Sequence, residues 1–245
     1  MSLELFVLSW GIYPRRALIY LAEKGLLNSP HLKITEAILT GNGNEMVAPG
    51  KPPGTLPILS LGNGQFIKQS IGVLEYFEDI CDAAKSSSSP ETVQTKLGLE
   101  GGPSMRGNTP EEKARTRGIM TLAVEATTHF GTACHKGTAL WASLQEQDPK
   151  AARFAWEDCQ KGLGLLEPYY LDDHRLEKSG GGVTIADCVL FSLLQFSAEL
   201  YGRDLTEGFA GLKRFYNLFK ERESAKIGKD FYPEIVKTMA QDWTV

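Results

Sequence analysis

The residues best suited to chemistry lie between Pro57 and Ser70. Two short apolar runs, residues 57–61 and 65–68, flank Gly62-Asn63-Gly64, and Asn-Gly between such runs predicts a β-hairpin. The second run ends at Gln69-Ser70, after which Ile71, Val73, Leu74, Phe77 and Ile80 follow a helical period. Ser70 is therefore the candidate N-cap. A helix that opens straight from an edge strand presents backbone N–H groups and the positive end of its dipole, which together suit a carboxylate. Pro57 opens the first strand, a place where proline is tolerated. The same features also fit a surface hairpin that merely precedes a helix.

A second candidate group sits near the start of the chain. Ser9 and Tyr13 carry hydroxyls, Trp10 a large ring, and Arg15 and Arg16 positive charge. Pro14 falls at or near the first position of a helix that runs to Lys24, with Leu18, Leu21 and Ala22 on one face and Gly25 as its stop. Arg15 and Arg16 would either add positive potential there or, as is more usual for arginines at a helix start, be solvated; Trp10 would either line a cleft or, more simply, pack. His129, Cys134 and His135 are close in sequence, but their spacing matches no common zinc pattern, so no metal site is expected.

The elements that must position these groups come in a recognisable order. Residues 3–8 read as a buried strand, residues 32–38 as a second strand, and residues 41–51 as a loop rich in glycine and asparagine. With the hairpin and the helix after it, the order is βαβ-ββα, which is thioredoxin-like. Residues 84–109 are serine-, glycine- and proline-rich and read as a linker. The remainder of the chain reads as all-α. Thr109-Pro110-Glu111-Glu112 opens a helix that reaches about His135, and residues 149–171 form another with Phe154, Leu163, Leu165 and Leu166 inside. Residues 180–182 form a loop, Thr184 and Asp187 form a capping box, and Leu212–Lys220 is a late helix. The expected domains are residues 1–83, α/β and thioredoxin-like, and residues 110–245, all-α, joined by residues 84–109.

Composition narrows the function classes. The chain has 245 residues, a net charge of -4 and 42% apolar residues, ordinary for a globular protein. The longest basic block is Arg15-Arg16, which argues against a nucleic-acid partner. No apolar run approaches a membrane span, and the start lacks a secretory leader pattern, so a cytoplasmic protein is expected. The four cysteines, Cys81, Cys134, Cys159 and Cys188, are widely spaced and read as reduced, buried residues.

Gly54-Thr55-Leu56-Pro57, the hairpin and Gln69-Ser70 resemble the glutathione-binding half of glutathione transferases. The run Arg15–Gly25 resembles their first helix, and Thr184-Ile185-Ala186-Asp187 and Leu212–Lys220 resemble their helical domain. The segment Trp10–Arg16 looks like that of fungal members. The resemblance implies glutathione as cosubstrate. Leu56 would pair its backbone with the cysteinyl part, next to a cis Pro57. Ser70 would take the γ-glutamyl carboxylate, Gln69 would face the α-amino group, and Lys51 would pair with the glycine carboxylate or simply be solvated. Asp187 would be structural. A hydrophobic electrophile would sit between the Trp10–Tyr13 turn and the helical domain, with Trp10, His129, Phe130, Trp141, Phe196 and Tyr201 as wall candidates. A homodimer is implied as well. The linker is longer than the family's.

The resemblance fails where the thiolate donor belongs. The tyrosine-type position falls on Val7 and the cysteine/serine-type position on Gly11, and neither side chain can donate. Tyr13 is the preferred substitute and Ser9 the next; backbone N–H groups of the turn are the third option. Three functions stay open: a transferase, a glutathione-dependent cis-trans isomerase of a conjugated polyene in fungal secondary metabolism, and a non-catalytic glutathione-binding module.

Overall fold

The strand Leu3–Val7, β1, is buried except for the partly exposed Glu4, and it forms the middle of a four-stranded sheet. In this computed structural model residues 2–40, 45–86, 91–177, 181–227 and 232–244 are described. The chain divides into two units, Met1–Asn108 with Lys226–Lys229, and Thr109–Ala225 with Asp230–Val245.

In the first unit β1 leads into α1 (Ile12–Lys24), which ends where Gly25 adopts a left-handed φ of +81°. β2 (Leu32–Glu36) returns parallel to β1, with Leu5 opposite Ile34. The expected strand over residues 32–38 stops early. Ala37 is buried and donates its N–H to Val7 O at 2.7 Å, after which the chain leaves the sheet. β3 (Ile38–Thr40) and β4 (Glu45–Val47) pair as a separate antiparallel ribbon. Part of the expected loop is therefore a strand; residues 41–44 lie outside the described residues. β5 (Ile58–Ser60) and β6 (Phe66–Lys68) form the expected hairpin, and the sheet order is β2-β1-β5-β6. α2 (Ser70–Lys85) follows at once.

The expected linker contains a helix, α3 (Val93–Glu100), capped by Thr92, whose hydroxyl accepts the Thr95 N–H at 3.1 Å. A side chain at Gly98 would collide with the Ile80 carbonyl, so glycine here lets α3 lie directly on α2. Residues 87–90 of that stretch lie outside the described residues. A buried ion pair, Lys24 Nζ to Glu78 Oε1 at 2.6 Å, holds α1 to α2. Tyr20 donates to the same oxygen at 2.7 Å, and the Met105 N–H donates to Glu78 Oε2 at 3.0 Å. The segment after α3 is thereby tied to both helices.

The second unit is helical: α4 (Pro110–Gly137), α5 (Pro149–Leu171), α6 (Ile185–Glu199), α7 (Ala210–Phe219) and α8 (Glu234–Gln241). Thr109 and Glu112 make a full capping box at α4. α6 is buried almost all round. Its cap residue Asp187 is buried, accepts from Thr184, receives the Tyr170 hydroxyl at 2.9 Å and pairs with Arg175 at 3.2 Å. On α5 the buried stripe is Ala155, Cys159, Leu163, Leu166 and Tyr170. Phe154 and Leu165, expected inside, lie off that stripe and are 48% and 60% exposed. Of the expected loop 180–182, residue 180 lies outside the described residues. All four cysteines are buried and reduced, and burial pushes the Cys159 thiol up to about 12. Among the described residues no helix is long and apolar enough to cross a membrane.

Candidate functional site

The first unit concentrates the candidate residues around the start of α2. β6 is an edge strand, and one residue, Gln69, turns it into the helix with φ +90° and ψ +122°. Among the described residues Gln69 is the only non-glycine residue with positive φ. Such a conformation costs about 1–3 kcal/mol and is held only where the surroundings enforce it. The first helical bond runs from the Val73 N–H to Gln69 O at 3.1 Å, so the N–H groups of Ser70, Ile71 and Gly72 precede the ladder. Ser70 is not the cap. It is the first helical residue, 4% exposed, and the cap residue Gln69 makes no side-chain cap bond.

The Ser70 hydroxyl accepts from Arg16 Nη1 at 3.4 Å. Of the two expectations for the arginines at the start of α1, solvation fails, because both are 1% exposed. Arg15 Nη1 donates to the Ile227 carbonyl at 2.6 Å, which fixes the helix start. The Arg16 guanidinium also lies 4.9 Å from the Tyr13 ring centroid, within cation–π range. Burial lowers its pKa to about 10, while proximity to Tyr13 raises it; the group is a cation at neutral pH. Arg16 therefore joins two residues picked from the sequence, Tyr13 and Ser70. The available signal was its place one helical turn before Ile19 and Tyr20, both fully buried.

The remaining candidates separate by environment. The Leu56–Pro57 peptide is cis, as expected. Leu56 is buried in a cluster with Phe6, Leu8, Ala37 and Ile58, against which Trp10 packs half-buried. Tyr13 is 43% exposed. Ser9 gives both its backbone N–H and its hydroxyl to Glu36 Oε1, each at 2.8 Å. Lys51 Nζ donates to the carbonyls of Pro52 at 3.2 Å and Gly54 at 2.9 Å, so its ammonium shapes the loop before the cis bond.

The wall candidates of the second unit pack mostly on one another. Phe130 is 1% exposed and meets Tyr201 edge-on at 5.5 Å, which places it in the helical core. Trp141 donates to the Tyr201 hydroxyl at 3.1 Å and stacks on His135 at 3.8 Å. Phe196 lies 5.4 Å from the Tyr201 ring. His129 is half-buried on α4.

Comparison with solved structures places this architecture. The chain is 22% identical to Gtt2 from Saccharomyces cerevisiae, with a TM-score of 0.67 over 91% of this chain and 99% of that one. The fold is that of glutathione transferases. A glutathione S-transferase from Methylobacillus flagellatus KT, solved with glutathione bound, is 19% identical with a TM-score of 0.63, covering 92% and 98% of the two chains. Glutathione transferase F7 from Populus trichocarpa is 13% identical with a TM-score of 0.66, covering 98% of this chain and 100% of that one. No protein-family model and no curated protein matches the sequence. The transferase fold explains the two units: a small mixed sheet carrying the cis-proline, the strained Gln69 and Ser70, and a separate helical unit.

Proposed function

We propose that the protein is a glutathione transferase that activates the thiol of glutathione for attack on a hydrophobic electrophile. One observation carries the reading: Arg16 at the Ser70 hydroxyl, beneath the α2 N-terminus that the strained Gln69 opens. A carboxylate placed there meets a hydroxyl, the first backbone N–H groups of a helix and a buried cation. That is the chemistry of the γ-glutamyl end of glutathione. Solved relatives of the same fold include proteins with glutathione bound.

The remaining roles rest on the same geometry. Gln69 faces the α-amino group, and the Leu56 backbone, beside Pro57, aligns the cysteinyl part. Lys51 acts by shaping the 51–54 loop, since its ammonium is already engaged there. A free thiol of pKa ~8.5 is only a few per cent thiolate at neutral pH. Lowering that value by about two units takes roughly 2.7 kcal/mol of preferential thiolate stabilisation. Tyr13 is the donor, because the Ser9 proton is given to Glu36. The charge of Arg16 on the Tyr13 ring adds positive potential at the same place. Gln69 carries no charge for the α-amino group, and in a homodimer the partner subunit supplies it. The protein acts in the cytoplasm.

The test is ultraviolet thiolate absorbance of bound glutathione against pH, with conjugation of an electrophilic dye alongside. A thiol pKa lowered by at least one unit, with dye conjugated and glutathione consumed, supports the transferase. Turnover of a conjugated polyene without loss of glutathione would mark an isomerase. Bound glutathione with an unshifted thiol would leave only a binding module.

A further inference from the structure

The chain reaches Tyr13 through a helix start that carries no cap of its own. Gly11 is the N-cap residue of α1 and has no side chain to offer, and no acid stands in the first helical turn. A helix end of this kind frays unless something outside it holds it. Tyr13 is the second residue of α1 and is 43% exposed, so fraying there moves the hydroxyl proposed to meet the thiolate.

The hold comes from two sides. Downstream, Arg15 Nη1 on the Ile227 carbonyl fixes the helix. Upstream, the turn closes on itself through the Gly11 N–H and Leu8 O at 2.8 Å, and Glu36 fastens it to the sheet. Glu36 is the last residue of β2 and lies opposite Val7, the last of β1, so its carboxylate stands where the chain leaves the sheet. Glu36 Oε1 accepts both the Ser9 N–H and the Ser9 hydroxyl at 2.8 Å. Hydrogen bonds to an ionised acceptor are roughly twice as strong as neutral ones, so this is a firm anchor two residues before the cap.

A carboxylate has a drawback here. A negative charge near a thiol disfavours the thiolate and raises the thiol pKa. Glu36 therefore acts on the thiol in two opposite ways, directly through its charge and indirectly through the turn.

We propose that Glu36 is a positioning residue that stands in for the missing cap of α1 and, by fastening Ser9, holds Tyr13 at the thiolate. The inference rests on the transferase reading with Tyr13 as donor. Two substitutions separate the opposing effects. Glu36→Gln keeps an acceptor for both Ser9 groups and drops the charge, whereas Glu36→Ala drops both. If the anchor dominates, the two variants move the thiol in different directions; a bare charge would lower the thiol pKa in both.

The thiol pKa of bound glutathione is read from ultraviolet thiolate absorbance in the unmutated protein, in Glu36→Ala, in Glu36→Gln, in Tyr13→Phe and in the Tyr13→Phe/Glu36→Ala double variant. Glu36 is exposed, so neither of its substitutions opens the core. Glu36→Ala is expected to raise the pKa by about 0.5 unit or more, which cuts the thiolate fraction about threefold at a pH below the pKa. The glutathione Kd, measured by calorimetry, should stay within about twofold, because the Ser70 end of the site is untouched. Glu36→Gln should leave the pKa at or below that of the unmutated protein. In the double variant Glu36→Ala should add nothing to Tyr13→Phe, since its effect passes through the Tyr13 hydroxyl. A pKa that is unchanged or lower in Glu36→Ala, a rise in Glu36→Gln as well, or a rise that persists without the Tyr13 hydroxyl would each overturn the proposal. An unshifted thiol in the unmutated protein is a different failure: it removes the transferase reading itself, and the role of Glu36 falls with it.

Discussion

The Ser9 hydroxyl and the Ser9 backbone N–H both reach the same atom, Glu36 Oε1, at 2.8 Å. This pins the turn after β1 to the end of β2, and it places a carboxylate, not a thiolate, at the serine proton. Ser9→Ala is therefore expected to leave the thiol pKa of bound glutathione unchanged, whereas Tyr13→Phe raises it and lowers turnover. Glutathione affinity should barely change in either variant. Ultraviolet thiolate titration reads both. A raised pKa in Ser9→Ala alone would return the donor role to Ser9, and unchanged values in both variants would assign the thiolate to the backbone N–H groups of the turn.

Ser70 carries both binding and stability. It is not the cap of α2, but its hydroxyl accepts from the buried Arg16, so Ser70→Ala should cost about 1–3 kcal/mol of stability. A hydrogen bond to a charged group contributes about 1.5–3 kcal/mol, so glutathione affinity should fall roughly ten- to a hundredfold. Calorimetric titration with glutathione decides this. A fall in stability without a fall in affinity would remove Ser70 from the site.

At Gln69 binding and stability oppose each other. Glycine tolerates φ +90°, so Gln69→Gly relieves the strain at a smaller cost in unfolded-chain entropy, with a net gain of about 0.5–1 kcal/mol. The same change removes the side chain proposed to face the α-amino group and should weaken glutathione binding. Denaturant unfolding and ligand titration on one preparation test both halves. A destabilised variant would mean that the Gln69 side chain holds the turn.

Glu78 is the hub of the first unit, buried with Lys24 and receiving Tyr20 and Met105. Glu78→Ala strands a buried cation and is expected to cost about 3–5 kcal/mol. Replacing Lys24 and Glu78 together by methionine should recover most of that loss. If the double variant is no more stable than Glu78→Ala, the ion pair is net stabilising and the expected recovery is refuted.

The second unit carries a pH-sensitive group in His135, whose pKa burial, and secondarily Lys136, holds below 6.5. The ring stacks on Trp141 at 3.8 Å, and its Nδ1 lies 3.2 Å from Gln145 Nε2. The unfolded chain takes up this proton near pH 6.5, the folded protein only at lower pH. Stability from this group is complete above about pH 6.5 and declines as pH falls toward the folded value. His135→Gln should flatten the thermal midpoint just below about pH 6.5, above the range in which the depressed carboxylates Asp173 and Asp204 act. Identical pH profiles for the two proteins would refute it.

The sequence by itself determined the order of elements, because alternation, helical period and turn chemistry are local. The Asn-Gly hairpin, the caps at Thr109 and Thr184 and the stop at Gly25 each rest on neighbours a few residues away, and each is in place. The tertiary structure decided what depends on contacts far along the chain. Helix α3 hid in a glycine-rich stretch because its stability comes from lying on α2 at Gly98. Arg16 looked like a solvated charge because only folding brings it to Ser70, across 54 positions. Ser9 looked like a donor because its acceptor, Glu36, arrives 27 residues later through parallel pairing of β1 and β2. Local pattern fixes what a segment becomes; which charges it meets is set by packing between segments.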